Sequence, residues 1–156
     1  MKETLAKIIK DAIEDQNEFW MVCEVDRDDD GDYAIRMNYT SDLVGGLSIT
    51  VHVAGYLNGV YINILPHALN YDESSFWNNP KSYVYLNKAN SNALFEAKFR
   101  IVDITNTEDR YFVLDSPLIS YGEILTSSHI IPGMIRRLIW RAEQGIKTIR
   151  DAAMGI

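Results

Sequence analysis

The segment Asp26-Arg27-Asp28-Asp29-Asp30-Gly31-Asp32 comes nearest to a spacing that does chemistry. It reproduces the first half of a calcium loop, D-x-D-x-D-G, in which alternate carboxylates converge on one hard cation and the glycine permits a sharp turn. The second half departs from that pattern. Met37 stands where the bidentate Glu belongs, and the flanks alternate like strands instead of winding like helices. The competing reading is a hairpin loop whose acids are simply solvated, and it is the expected one. Asp26, Asp28 and Asp30 are the residues a calcium-sensitive module would use.

The remaining reactive side chains form no motif. His52, His67 and His129 lie far apart and show neither H-x-H nor H-E-x-x-H spacing, so each reads as a structural or surface residue. Cys23 alternates with Met21 and Val25 on an apolar side, which suits a small packed hydrophobe better than a nucleophile. The strained G-x-S-x-G turn is missing, as are G-x-x-x-x-G-K and G-x-G-x-x-G; Val44-Gly45-Gly46-Leu47 is a bend before a strand. The expectation is a protein that is not an enzyme, with no catalytic residue, no metal and no cofactor.

What the sequence does specify is architecture. Ser128 to Ala153 reads as one long amphipathic helix. Ile131, Ile135, Leu138, Ile139, Ala142, Ile146, Ile149 and Ala153 recur at three- and four-residue steps and so share one stripe. Arg136, Arg137, Trp140, Gln144 and Lys147 fall on the opposite side, with Arg141 and Arg150 close by. Trp140 therefore sits off the apolar stripe, and Trp20 sits on the side of its strand opposite Phe19 and Met21. A large aromatic on the wrong face marks a second contact surface, because tryptophan and arginine are enriched where partners bind. Trp140, Arg136, Arg137, Arg141 and Trp20 are accordingly the candidate partner-binding residues. The plainer alternative is a tryptophan lying along the rim of its own core.

Upstream, Leu5, Ile8, Ile9, Ala12 and Ile13 predict a first helix ending near Gln16-Asn17. Phe19 to Val25 changes to the two-residue period of a strand, the acidic run turns the chain, and Tyr33 to Tyr39 returns as its partner. Asn58-Gly59 is the favoured pair for a two-residue type I′ turn. It would set Leu57 opposite Val60, Gly55 opposite Ile62 and Val53 opposite Ile64, with Tyr56 and Tyr61 paired on the other face. Residues 66–81 read as loop, and Tyr83 to about Asn92 as a short helix, although Val84-Tyr85 is equally strand-like. Phe95 to Ile101 and Arg110 to Leu114 read as a hairpin closed at Ser116-Pro117. Strands and helices segregated in this way give one α+β domain over residues 1–156, with helices packed on a mainly antiparallel sheet.

Charge narrows the partners. The net charge of −7 argues against a general nucleic-acid binder. Residues 129–156 nevertheless carry five basic and two acidic side chains, whereas 1–128 carry ten basic and twenty acidic. The densest acidity is in 11–42; such asymmetry can select a partner or orient a dimer, but the expected reading is two independently solvated faces. A lone cysteine excludes an intrachain disulfide, the first residues lack a signal peptide's apolar core, and no apolar run is long enough to span a bilayer. A cytoplasmic protein without membrane contact is expected.

The stretches Tyr85-Leu86-Asn87-Lys88-Ala89-Asn90, Leu94-Phe95, Phe99-Arg100-Ile101-Val102-Asp103 and Tyr111-Phe112-Val113-Leu114-Asp115-Ser116 carry a family resemblance. Together with the element order over about 19–153, they resemble the YbjN family and, behind it, the type III secretion chaperone fold: a helix, three antiparallel strands, a helix, a hairpin and a closing helix. Residues 18–65 depart from that pattern with four strand-like segments instead of three. The resemblance implies a non-enzymatic, commonly homodimeric protein that binds or regulates other proteins. It implies no catalytic residue, and it gives Asn90 a capping and loop-fixing role. The alternative from another class is an immunity-type inhibitor that neutralises a toxin through the acidic 11–42 region, with Asp28, Asp29 and Asp30 in the contact.

Overall fold

The computed structural model describes residues 1–16, 24–27, 31–55, 58–67, 82–91, 97–103 and 110–153. Along the chain these form α1 (Lys2–Gln16), β1 (Glu24–Arg27), β2 (Tyr33–Ser41), β3 (Gly45–Ala54), β4 (Gly59–Pro66), α2 (Ser82–Ser91), β5 (Lys98–Asp103), β6 (Arg110–Asp115), β7 (Ile119–Ser120), α3 (Tyr121–Thr126) and α4 (Ile130–Ala153). The strands make one antiparallel sheet in the order β1-β2-β3-β4-β6-β5, with β7 paired to β4. The fold is α+β, as the sequence pattern requires. Its four strands before α2 include β1, a short edge strand whose residues are all exposed. Phe19, Trp20, Met21 and Cys23 lie outside the described residues.

One core joins sheet and helices. Ile35 and Met37 of β2, Leu47, Ile49, Val51 and Val53 of β3, Val60, Ile62 and Ile64 of β4, and Phe112 and Leu114 of β6 are buried together with Leu5, Ile9 and Ile13 of α1. The α4 stripe lies in the same cluster, with Ile131, Ile135, Leu138, Ile139, Ala142, Ile146 and Ile149 all buried. Each such side chain removed from water contributes on the order of 1.5–3 kcal/mol, which is why the stripe, more than helix propensity, holds α4 in place.

The β3–β4 turn differs from the two-residue loop expected of Asn58-Gly59. Ala54 pairs with Gly59 and Val53 with Val60, so the loop holds Gly55 through Asn58, and Ile62 faces Val51 instead of Gly55. Asn58 does take the left-handed conformation, at φ 48°. Gly59, however, is the first residue of β4. A Cβ there would lie 2.8 Å from the Leu118 side chain and 3.0 Å from the Ile119 carbonyl, at the place where β7 pairs alongside. Glycine is needed at this position for that close approach, and the local turn preference yields to it. Each apolar set stays on its own face, because the slip is by an even number of residues. Tyr61 then pairs with His52, and the two rings stack with centroids 4.5 Å apart.

The segment between β6 and α4 also differs from expectation. Ser120 and Glu123 form a capping box: the Glu123 amide donates to Ser120 Oγ at 3.2 Å, and the Ser120 amide donates to the Glu123 carboxylate at 2.9 Å. This starts α3, and α4 begins at Ile130, two residues beyond the expected Ser128. These bonds to the ionised form hold the Glu123 carboxyl below its usual range.

Helix α2 is pinned to the edge strand β5 through Asn90. Its Nδ2 donates to the Phe99 carbonyl at 2.9 Å, and its Oδ1 accepts from the Phe99 amide at 2.8 Å. One side chain thus satisfies both backbone groups that an edge strand would otherwise leave open. The resemblance implies a capping and loop-fixing role for Asn90, whereas the contact here is to a strand backbone. Asn90→Ala orphans both groups beside a buried residue and should cost about 2 kcal/mol. Urea unfolding checks this, and an unchanged midpoint would refute the bidentate contact.

Candidate functional site

The outward side of α4 carries the site. At helical spacing, Arg136, Trp140 and Glu143 fall on one face, and Ile139 closes toward the core. Tyr39 comes up from β2, and the five side chains line a hollow of about 170 Å³. Trp140 is 51% exposed, a large indole presented to solvent. Pockets for metabolites or cofactors run to roughly 300–1,000 Å³. This one suits a single inserted side chain.

Two walls of the hollow, Glu143 and Arg136, are held in place by hydrogen bonds. Ser41, buried at the end of β2, donates from Oγ to the Glu143 carboxylate at 2.6 Å and accepts the amides of Leu43 and Val44 at 3.1 and 3.3 Å. The end of β2 therefore fixes the Glu143 side chain of α4. Arg136 donates to Gln16 Oε1 at 2.6 Å, which ties the hollow to the end of α1. Burial pushes the Tyr39 phenol up from its ordinary value, and the negative charges of Glu143 and Asp42 push it the same way. Tyr39 thus remains a hydrogen-bond donor at neutral pH.

Among the sequence-selected residues, Arg136 and Trp140 meet at this hollow, and Arg137 is exposed beside it. Trp20 lies outside the described residues. Arg141 is not on this face. It is 4% exposed, donates to the Ala89 carbonyl at 2.7 Å, and lies with its guanidinium 4.8 Å from the Phe99 ring centroid. Burial lowers its pKa from the ordinary arginine value. Its task is structural. A cation and donor meets the carbonyl end of α2, where the helix dipole favours it. Counting residues around the helix puts Arg141 near the polar side, but its long side chain reaches inward under α2.

Of the calcium-loop candidates, Asp26 pairs with Arg36 at 2.9 Å, while Asp28 and Asp30 lie outside the described residues. Asp32 is held separately by Lys2 at 2.9 Å and by the Gly55 amide at 3.0 Å, and these bonds keep its carboxyl below the usual range. Among the described residues, no three His, Cys, Asp or Glu side chains are grouped so as to hold a metal. No helix among them is long and apolar enough to cross a membrane.

The sheet face away from the helices holds contacts that the sequence does not advertise. Ser48 Oγ lies 2.5 Å from His67 Nε2. A serine touching an imidazole is the first element of nucleophilic catalysis. Here, though, Ser48 is in the middle of β3, paired with Asn38 on one side and Leu65 on the other. The amides around it belong to the ladders instead of pointing at a site for an oxyanion. The contact positions His67 over Gly46, where a Cβ would lie 2.7 Å from Nδ1.

On the same face, the Asn63 side-chain amide and His52 Nε2 are hydrogen-bonded at 2.9 Å. Burial holds the His52 pKa below its ordinary value; Arg36 and Arg100 add to this, and Asn63 and Asp115 oppose it. A base whose folded pKa is depressed binds its proton more tightly when unfolded. Stability should therefore be full above about pH 6.5, fall as pH drops below that value, and level off below the folded pKa. Melting scans across this window check the sign, and His52→Gln should remove that component. A histidine component that rises toward acid would contradict it.

Comparison with protein-family models, curated proteins and solved structures found no match for this chain.

Proposed function

We propose that this is a non-enzymatic binding protein, chaperone-like or regulatory, that holds a protein partner on the outward face of α4. The observation that carries this reading is the half-exposed Trp140 walling a hollow sized for one side chain, with two other walls, Arg136 and Glu143, fixed from α1 and β2. Anchors of this kind, a large aromatic beside an arginine, dominate binding energy at interfaces. The element order also supports it. Helix, antiparallel strands, α2, the β5–β6 hairpin and α4 follow the order of the YbjN and type III secretion chaperone resemblance, with β1, β7 and α3 added. A cytoplasmic site of action and a homodimer belong to the same reading.

The test is quantitative capture. Wild-type and Trp140→Ala proteins are used as matched baits, with the distant surface variant Lys7→Ala as control, and recovered partners are measured by mass spectrometry. The reading expects one partner set retained by wild type and Lys7→Ala and lost by Trp140→Ala. Identical recovery on all three baits would overturn it.

A further inference from the structure

The outward face of α4 as a whole, with Arg136, Arg137 and Lys147 against Glu143 and Asp151, selects neither sign of charge. The hollow in it does, because its two ends differ. At one end Arg136 donates to Gln16, the last residue of α1. At the other stands Glu143, one turn beyond Trp140, together with Tyr39 of β2. Glu143 meets no cation among the described residues; its contact is the hydroxyl of Ser41, a neutral donor. Asp42, the residue after Ser41, is exposed and likewise has no cation partner among the described residues. The charges that act on the Tyr39 phenol are these two, both negative. Arg137 and Lys147 are exposed on α4 but line no part of the hollow. Beside the acidic end Leu43, whose amide donates to the same Ser41 Oγ, is 70% exposed.

We infer that the partner inserts one basic side chain, a lysine or an arginine, into this hollow, where Glu143 receives the cation beside the Trp140 and Tyr39 rings and an apolar neighbour in the same peptide segment rests on Leu43. This names the occupant of the binding site proposed above and rests on that reading. Indole and phenol rings attract a cation over their faces, and a carboxylate already held by a hydroxyl receives it without rearranging. The aliphatic stem of such a side chain covers Ile139 while its head stays among polar groups. An acidic side chain would instead meet two carboxylates that no cation neutralises. A neutral one would cover Glu143 without supplying a counter-charge, at a desolvation cost.

The experiment is a selection of short random displayed peptides on the immobilised full-length chain, with binders then measured by calorimetry at low and high salt. The expected binders share a lysine or arginine next to an apolar residue, weaken as salt rises, and are lost by Trp140→Ala. Exchanging that lysine for norleucine, or that arginine for citrulline, removes the charge at nearly constant shape and should weaken binding roughly tenfold or more. Glu143→Gln, which keeps an acceptor for Ser41, should weaken it roughly tenfold with little change in melting temperature. Peptides that need Trp140 but no basic residue, or basic ones indifferent to Glu143→Gln, would overturn the basic occupant and leave the α4 surface standing. Peptides indifferent to Trp140→Ala, or none at all, would count against both. Self-association of the free chain that Trp140→Ala dissolves would put a second copy in the hollow and overturn the inference.

Discussion

Gly145→Ala will destabilise the protein by about 3 kcal/mol, against the sign that helix propensity alone gives. Gly145 lies inside α4, where alanine ordinarily gains about 1 kcal/mol over glycine. A Cβ at this position, however, would fall within the ring edge of Phe99, at Cε2 and Cζ, and 3.1 Å from Arg141 Nη1. The ring has nowhere to retreat. It stacks on Phe112 with centroids 4.8 Å apart, its backbone is held at both polar atoms by Asn90, and Arg141 lies over it. The decisive form of the measurement is a double-mutant cycle by urea unfolding. Phe99→Ala should itself cost about 3–5 kcal/mol. In that background, Gly145→Ala should turn neutral or stabilising by up to about 1 kcal/mol. A gain in stability from Gly145→Ala in the wild-type protein would remove this packing argument.

Trp140→Ala will weaken partner binding by at least about 2 kcal/mol, some thirtyfold, with little change in melting temperature. The two halves of that prediction have different sources. The binding loss follows from the indole as a wall of the hollow, since truncation would remove both contact area and the pocket that orders an incoming side chain. The small stability effect follows from its 51% exposure and its place off the buried stripe. Calorimetry on a captured partner reads the first, and thermal melting reads the second. A large fall in melting temperature would instead mark Trp140 as a rim residue of the core.

What the sequence reveals is what repeats locally. The α4 stripe, the alternation through β2 to β4 and the position of α2 follow from periods of 3.6 and 2, and those periods survive folding because one continuous core demands them. The β3–β4 register was open to error. Asn58-Gly59 is a strong local signal, yet Gly59 is needed where Leu118 and Ile119 arrive from far along the chain. The Ser120-x-x-Glu123 spacing of α3 was available as a capping box and was masked by the nearby Pro117 and Gly122.

The site divides in the same way. Trp140 is recognisable because it breaks the polarity of its helix, and Arg136 because it lies one turn before it on the same side. Tyr39, Ile139 and Glu143 are not, since only the crossing of α4 over β2 brings them together and only Ser41 shows that Glu143 is fixed. Arg141 misleads for the opposite reason. A charged side chain on the polar side of a helical projection is expected in water, and nothing local reveals that α2 lies over it.

The most direct trial of the central claim, that the outward face of α4 is where this protein meets its partner, is hydroxyl-radical footprinting of the complex against the free chain. Side chains that react readily stand on both candidate surfaces. Trp140 and Tyr39 mark the α4 hollow, and His52 and Tyr61 mark the sheet face away from the described helices. The account predicts that the partner protects Trp140 and Tyr39 and leaves His52 and Tyr61 as reactive as before. Protection of His52 and Tyr61 with Trp140 still fully reactive would contradict it.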